Sequence, residues 1–462
     1  MEYTQINNTP KPGESTKMGV FKSVSAYLPP LMMTVLCFLM AQALILGSDT
    51  WMAVAVLLTI GYCLVVKAEN ILYMLCGVAM FENVFKIGGD IFWFVLLLIL
   101  MCKLLARGGG KIRSGAVIPF LVIFSLELIL DFSNGSVGQL LVNLVTVTFI
   151  FVVFSKIDLL KMNAFRLVFS LFVAFAAVVY YLLSMYGGMG EFLSSFLSSS
   201  YAYRFGHSYG ETVGGAMAIP LYTTMLISCG LTCYLKSERL RFSQKFLIFL
   251  AVAFSAVFGA MTISRSFYVG LIITLLSVAL FKASGNKGGK RMILCLIAVV
   301  LVLLIFTESD IIDKIFQNLQ LRLDSGMEKG SAGRLDIWHS CFEYLLEHPL
   351  KLLFGMGATN YVLVGSETGE LFSAGAHNLL IDILMSWGFF GVTVLLAFLI
   401  GVYKRQKNQN DNFHLQSLIP LITYAFFAMT ALRSCTLRTW LFLLIAYVFM
   451  DSTIYRKEEK NI

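Results

Sequence analysis

The sequence predicts an all-α polytopic membrane protein with about 12–14 transmembrane helices and one large, partly helical extracytoplasmic loop. Three observations support this fold class. The 462 residues are 58% hydrophobic and only 13% charged, with a mean hydropathy of +0.80, whereas soluble domains are about half apolar and a quarter charged. Apolar runs of about 20 residues recur along the whole chain. These runs are continuous rather than alternating, which is typical of helices rather than of barrel strands.

The elements follow in chain order. Residues 1–26 are polar and lack the early apolar core of a signal peptide, so we predict a cytoplasmic tail. Residues 27–306 hold helices 1–11, residues 307–376 form the large extracytoplasmic loop, residues 377–455 hold helices 12–14, and residues 456–462 are a cytoplasmic tail. The predicted spans are 27–47, 51–66, 71–88, 90–105, 115–131, 139–154, 167–186, 213–235, 246–263, 266–283, 292–306, 378–403, 416–432 and 439–455.

The third span contains polar side chains. Glu82 and Lys86 lie four residues apart, so on a helix over 71–88 they would share a face and neutralise each other. A re-entrant segment is the alternative.

Basic residues set the predicted orientation. Lys and Arg are enriched in the cytoplasmic loops of membrane proteins. The connections 107–113, 236–245, 282–291 and 404–407 are all basic. With both termini in the cytoplasm these connections all lie inside, and the predicted site lies on the extracytoplasmic face. The same rule accounts for the net charge of +8, so nucleic-acid binding is not expected.

The predicted ninth and tenth spans meet at Ser264-Arg265-Ser266 with almost no loop between them, so Arg265 lies at or just below the outer surface. An arginine at this depth is costly unless it reaches lipid headgroups or meets an anion. Both interpretations stay open on this residue alone.

The large loop holds Arg334 at the start of a predicted amphipathic helix. Leu335, Trp338, Phe342 and Leu345 recur at helical spacing. This helix lies on the membrane or packs over the spans. A cation at a helix N-terminus opposes the helix dipole, and an anion held there would suit both the arginine and the unpaired N–H groups.

A flexible turn is predicted at Phe354–Tyr361, and His377-Asn378 then opens a membrane helix. A neutral histidine can accept a proton at neutral pH. The alternative is a histidine that only hydrogen-bonds to backbone at the helix start.

These segments together resemble the O-antigen polymerase and O-antigen ligase superfamily. The resemblance covers about residues 246–405 and rests on the order and spacing of several short motifs. They are Ser264-Arg265-Ser266, Gly333-Arg334, Trp338, His348-Pro349, Gly355-Met-Gly357, Ala376-His377-Asn378 and Gly388-Phe-Phe-Gly391.

The resemblance implies a metal-independent, inverting glycosyltransferase without a cofactor, whose donor is a saccharide on undecaprenyl pyrophosphate. Arg265 and Arg334 would bind the departing pyrophosphate, and His377 would take the proton of the acceptor hydroxyl. Asn378 is a further candidate for substrate contact, and no metal ligands are expected.

Two more groups are weaker candidates for binding the pyrophosphate or sugar. Arg433 and Arg438 flank the last short outer link, where topology setting or snorkelling is an equal alternative. Tyr203, Arg204 and His207 lie in an aromatic and basic stretch of the earlier outer loop, although tyrosine is also common at membrane interfaces.

We predict a polymerase for a surface polysaccharide such as O-antigen, capsule or exopolysaccharide, in a bacterial plasma membrane. A ligase that transfers finished glycan to lipid or protein uses the same chemistry and is the first alternative. A flippase of lipid-linked oligosaccharides is the alternative of another class. Expected partners are the lipid-linked oligosaccharide, membrane lipids, and chain-length regulator and flippase proteins.

Overall fold

The structure, a computed structural model, describes most of the chain. The described residues are 14–87, 90–109, 114–132, 137–198, 204–207, 209, 213, 218–237, 240–282, 317, 320–321, 334–370, 375–409, 415–432 and 436–455. The predicted span 292–306 and most of the first half of the large loop lie outside them.

The described residues form helices almost throughout, as the apolar runs predict. The longer helices are α1 (Glu14–Ile45), α2 (Asp49–Val65), α3 (Ala68–Met80), α4 (Trp93–Arg107), α5 (Ser114–Asp131), α6 (Val137–Ser155), α7 (Ala164–Met185), α8 (Met189–Ser198), α9 (Ala218–Lys236), α10 (Phe242–Met261), α11 (Arg265–Lys282), α12 (Arg334–Glu347), α13 (Pro349–Phe354), α14 (Ala358–Thr368), α15 (Leu379–Gln409), α16 (Ile419–Thr430) and α17 (Leu437–Val448). Two-residue strands β1 (Lys86–Ile87) and β2 (Asp90–Ile91) pair antiparallel.

The all-α polytopic membrane class is confirmed. Five described helices, α6, α7, α9, α10 and α15, are long and apolar enough to cross a membrane. Shorter apolar stretches occur in α1, α2, α3, α11, α16 and α17. Helix α9 lies at the centre of the bundle. Of its apolar stretch 89% is buried, compared with 39% for its neighbour α10. The total of 12–14 spans stays a prediction.

The prediction of a helix over 71–88 is wrong. Helix α3 ends at Met80, and the chain then enters the β1–β2 pair. Glu82 forms an ion pair of 3.0 Å with Arg438, and it also accepts the backbone N–H of Arg438 at 2.9 Å. This largely buried arginine offers the carboxylate both its guanidinium and its backbone N–H. Whether the segment is re-entrant stays a prediction.

The two ends of the bundle are identified by the residues that they hold. At one end, Arg107 of α4 forms an ion pair of 2.5 Å with Glu69 and donates to the carbonyl of Leu159. Arg405, near the end of α15, donates to the carbonyl of Phe154 at the end of α6. We call this the basic end. The opposite end holds the turn between α10 and α11 together with helices α12–α14, and we call it the site end.

At the site end, helices α12–α14 build a small core of their own against the first turns of α15. Cys341 and Leu345 of α12 are buried there with residues of α14 and α15. The helix predicted from Arg334 to Pro349 is therefore present, and its apolar residues lie on two sides. Leu335 and Phe342 are exposed, because the buried side passes through Cys341 and Leu345.

Candidate active site

The turn between α10 and α11 fixes the position of Arg265. Ile263 is fully buried and has a φ of +47°, a left-handed conformation that a β-branched residue rarely adopts. The carbonyl of Ser264 accepts the N–H groups of Phe267 and Tyr268, which starts α11 at Arg265. Such a strained residue persists only when its surroundings hold it, and strain of this kind clusters at functional sites.

Helices α11 and α16 run antiparallel in a register that brings Arg265 to the C-terminal end of α16. The hydroxyls of Thr274 and Thr423 hydrogen-bond at 2.8 Å. One turn closer to the site end, Gly270 lies against the ring of Phe427, where a Cβ would be 2.9 Å from the ring. One further turn along both helices leads to Arg265 and to the last residues of α16.

Arg334 lies at the same place. Its Nη1 donates to the carbonyl of Thr430, the last residue of α16, at 2.6 Å. A helix C-terminus carries partial negative charge, so the guanidinium that opposes the dipole of α12 is stabilised by the dipole of α16. Burial, together with the positive charge of Arg265, lowers the pKa of Arg334. Both guanidinium groups stay protonated in proteins. Arg265 and Arg334 are thus two half-buried cations, and the charge of Arg265 acts on Arg334.

Trp338 links His377 to Arg334, because it lies one turn after Arg334 on α12 and contacts the residue before His377. The indole N–H of Trp338 donates to the carbonyl of Ala376 at 2.8 Å. His377 is half-buried and has a φ of +51°. It and Ile263 are the two non-glycine residues with positive φ in the described part of the chain, and both lie at predicted catalytic segments.

Asn378 has a clear structural role. Its side-chain oxygen accepts the N–H groups of Leu380 at 3.0 Å and Ile381 at 3.4 Å, so it caps the N-terminus of α15. Its predicted contact with substrate stays a prediction.

A buried network supports the backbone on which His377 lies. Asp382 accepts the hydroxyl of Tyr361 at 2.8 Å and the N–H of Ala376 at 3.2 Å. The same hydroxyl oxygen of Tyr361 accepts the N–H of Ala376 at 2.8 Å. Burial and the nearby Asp382 raise the pKa of Tyr361, which keeps the hydroxyl protonated and able to donate. Tyr361 and Asp382 thus fix the residue that precedes His377.

The segment predicted as a flexible turn is firmly held. The N–H groups of Met356 and Gly357 donate to the carbonyls of Met385 and Ser386 at 2.9 and 2.8 Å. Asp131, at the end of α5, accepts the N–H of Thr359 at 3.0 Å and so stabilises the start of α14. A Cβ at Gly357 would lie 2.1 Å from this carboxylate, so glycine is required there.

Close packing also requires glycine at position 388. With a φ of +66° it kinks α15, and a Cβ there would be 2.4 Å from the backbone of Leu353. The adjacent Trp387 donates its indole N–H to the buried Glu127 of α5 at 2.6 Å. The glycines of the two motifs therefore let the loop and the kinked helix pack backbone against backbone.

The other predicted binding residues are distributed as follows. The turn that carries Arg204 and His207 packs against α10, because the N–H of Phe205 donates to the carbonyl of Met261 at 3.0 Å. Arg438 forms the buried ion pair with Glu82 and donates to the hydroxyl of Tyr222 at 3.2 Å, which gives it a structural role. Tyr203 and Arg433 lie outside the described residues.

Sequence analysis missed the residues that support the site. Asp131, Glu127 and Asp382 are carboxyl groups within apolar helices, where ionisable groups are costly and usually have a specific partner. That signal was present in the sequence. Tyr361 carries no comparable signal, because its partners are far away along the chain.

The comparisons with known proteins concern the segment that holds these residues. Residues 250–396 match the family described as O-antigen ligase. This segment belongs to the O-antigen polymerase and ligase superfamily. It contains Arg265, Arg334 and His377, together with Tyr361 and Asp382. A search of curated proteins found no match. The members of this family are enzymes of the glycosyltransferase type. Within the described residues, no group of three or more His, Cys, Asp or Glu side chains is placed to hold a metal ion.

Replacing Tyr361 by phenylalanine tests the supporting network. The change removes one hydroxyl and leaves Asp382 and the N–H of Ala376 with one partner fewer. We expect a loss of stability of about 1.5–3 kcal/mol. If the network positions His377, kcat falls further than donor affinity does. The control is Tyr180→Phe, which removes an exposed hydroxyl that donates to Gln42. Equal losses of kcat and donor affinity would show that the network has only a general structural role.

Proposed function

We propose that this protein is a polysaccharide polymerase that joins undecaprenyl-pyrophosphate-linked repeat units by inverting glycosyl transfer. The observation that carries the proposal is the pair Arg265 and Arg334 at the C-terminal end of α16, with His377 joined to it through Trp338. The match of residues 250–396 supports this class of enzyme.

The arginine pair suits a departing pyrophosphate. Two protonated guanidinium groups that repel each other gain from an anion bound between them. Their planar donor groups match phosphate oxygens and can bind them bidentately. As the anomeric C–O bond breaks, its electron pair moves to the pyrophosphate, and the growing charge is stabilised by cations already in place.

His377 would act on the acceptor. The acceptor hydroxyl oxygen attacks the anomeric carbon from the side opposite the leaving group, which inverts that carbon. The hydroxyl proton passes to the imidazole of His377, which is neutral before the step. The new glycosidic bond forms, the bond to pyrophosphate breaks, and the proton later leaves the imidazole for solvent. Atoms and charge balance without a further reactant.

The charge of the two ends supports an extracytoplasmic site. Arg107, Lys404 and Arg405 belong to the basic end, and basic residues favour the cytoplasmic side of a bacterial plasma membrane. Helix α15 runs from the site end to the basic end. The site end would therefore face outward, where lipid-linked repeat units are presented after they cross the membrane.

A ligase is the second candidate, because the family that matches residues 250–396 is described as O-antigen ligase. A ligase would use the same donor, the same arginine pair and the same histidine. It differs in the acceptor, which would be a lipid or protein rather than a second lipid-linked glycan.

The test is incubation of the purified protein in liposomes with a synthetic undecaprenyl-pyrophosphate-linked repeat unit, with the products resolved by size. A polymerase gives a ladder of glycans on the lipid carrier and releases undecaprenyl pyrophosphate. A ligase gives a single transfer, and only when an acceptor is added. Movement of the labelled donor across the bilayer without a new glycosidic bond would contradict both enzyme proposals and indicate a flippase.

A further inference from the structure

Helix α12 has two apolar sides, and the described part of the chain covers only one of them. Cys341 and Leu345 face the small core at the site end. On another side, Leu335, Phe342 and Leu346 follow one another at intervals of seven and four residues, which places them on a single stripe, and all three are exposed. Leu346 keeps 69% of its surface exposed. His339, at the edge of this stripe, forms an ion pair with Glu343 at 3.0 Å.

Helix α13 extends the exposed stripe. Leu350 is 74% exposed, and Leu353 and Phe354 are also exposed. Lys351 turns away from them and contacts the hydroxyl and ring of Tyr344. Six large apolar side chains thus form one patch on α12 and α13. An apolar patch of this kind marks a surface that meets a protein partner or a membrane.

The patch is continuous with the lipid-facing side of a membrane helix. The ring of Phe354 packs edge to face on Phe390 of α15 at 6.3 Å, and Phe389 and Phe390 are themselves exposed. The backbone of α13 lies directly against α15 at Gly388. Helix α15 is long and apolar enough to cross a membrane, and in a bilayer its exposed phenylalanines would face lipid.

The depth of this contact follows from the length of α15. Sixteen residues separate Gly388 from Lys404, which is about 24 Å of helix. The hydrocarbon core is about 30 Å thick. If Lys404 marks one boundary of the core, Gly388 lies about 6 Å inside the other boundary. On that assumption, helix α13 lies within about 6 Å of the boundary between acyl chains and headgroups.

We propose that α12 and α13 form a lipid-binding surface that is partly inserted in the outer leaflet of the bilayer, with Leu346, Leu350 and Leu353 among the acyl chains. Bilayer lipids are the occupant, because the patch continues the lipid-facing side of α15. In this arrangement Arg334, at the start of α12, lies at headgroup height. The consequence for catalysis rests on the proposed function, since a pyrophosphate on a polyprenyl carrier would be presented at that same height.

The test places a photoreactive benzoylphenylalanine at single positions in the full chain, reconstituted in nanodiscs that contain an alkyne-tagged phosphatidylglycerol. Positions 346 and 350 report on the proposed surface. Position 396, an exposed leucine of α15, is the positive control, and position 370, an exposed glutamate after α14, is the negative control. Irradiation should give lipid adducts at 346 and 350 at a level comparable to 396 and several-fold above 370.

Two outcomes overturn the proposal. Adduct levels at 346 and 350 equal to those at position 370 would show that the patch faces water. Crosslinks at these positions to another part of the chain, or to a second copy of it, would show that protein covers the patch. The readout needs no enzymatic activity, so it stays informative whether or not the protein polymerises glycan.

Discussion

Alanine in place of Arg334 is expected to lower glycosyl transfer by about 100- to 1,000-fold, the usual effect of removing one group that stabilises charge in a transition state. The guanidinium donates to the carbonyl of Thr430, and the charge of Arg265 acts on it. Arg334→Lys keeps the charge but loses the planar pair of donors, and we expect an intermediate rate. The measurement is the initial rate of undecaprenyl pyrophosphate release from a synthetic donor.

The arginine pair should behave as one unit. If Arg265 and Arg334 bind the same pyrophosphate, the double alanine variant loses less than the product of the two single losses. Arg241→Ala is the matched control, because this exposed arginine precedes α10 at the opposite end of that helix from Arg265. Wild-type rates from Arg334→Ala would refute the role, and multiplicative losses would show two independent sites.

For His377, we expect replacement by alanine to lower kcat by about 100- to 10,000-fold with little change in donor affinity, since proton transfer in the transition state is lost while pyrophosphate binding remains. The residue has a φ of +51°, so the alanine variant is also strained. His377→Asn separates the two effects. Asparagine tolerates the left-handed conformation but cannot accept the proton, so this variant should fold as the wild type does and still be inactive.

The measurements are thermal unfolding in detergent, donor binding and single-turnover rate for each variant. His339→Ala is the control, since His339 is an exposed imidazole on the neighbouring α12. An asparagine variant that retains the wild-type rate would exclude proton acceptance by His377 and leave it a structural role at the start of α15.

The amino-acid sequence by itself determined the membrane-embedded helical class and selected the segments of the candidate site. Both depend on the hydropathy and charge of residues that are neighbours in the sequence. Runs of about 20 apolar residues cannot be accommodated in water, and an arginine at the edge of such a run needs an anion or a headgroup whatever the rest of the fold does. Arg265, Arg334 and His377 could therefore be selected before their surroundings were known, and the match of residues 250–396 includes all three.

The tertiary structure decided which residues meet, because partners far apart along the chain leave no periodic trace in it. Glu82 pairs with Arg438, more than 350 residues away, rather than with Lys86, which is four residues away. The third helix ends accordingly at Met80. The dipole of α16 stabilises Arg334, although its own helix opposes the charge.

The same reason explains the loop and the glycines. The turn at Gly355–Gly357 reads as flexible in the sequence, but backbone groups of α15 and the carboxylate of Asp131 hold it in place. Local composition indicates only that glycine permits many conformations. Packing of α13 against the kink at Gly388 selects one of them, since any Cβ at that point would collide with the backbone of Leu353.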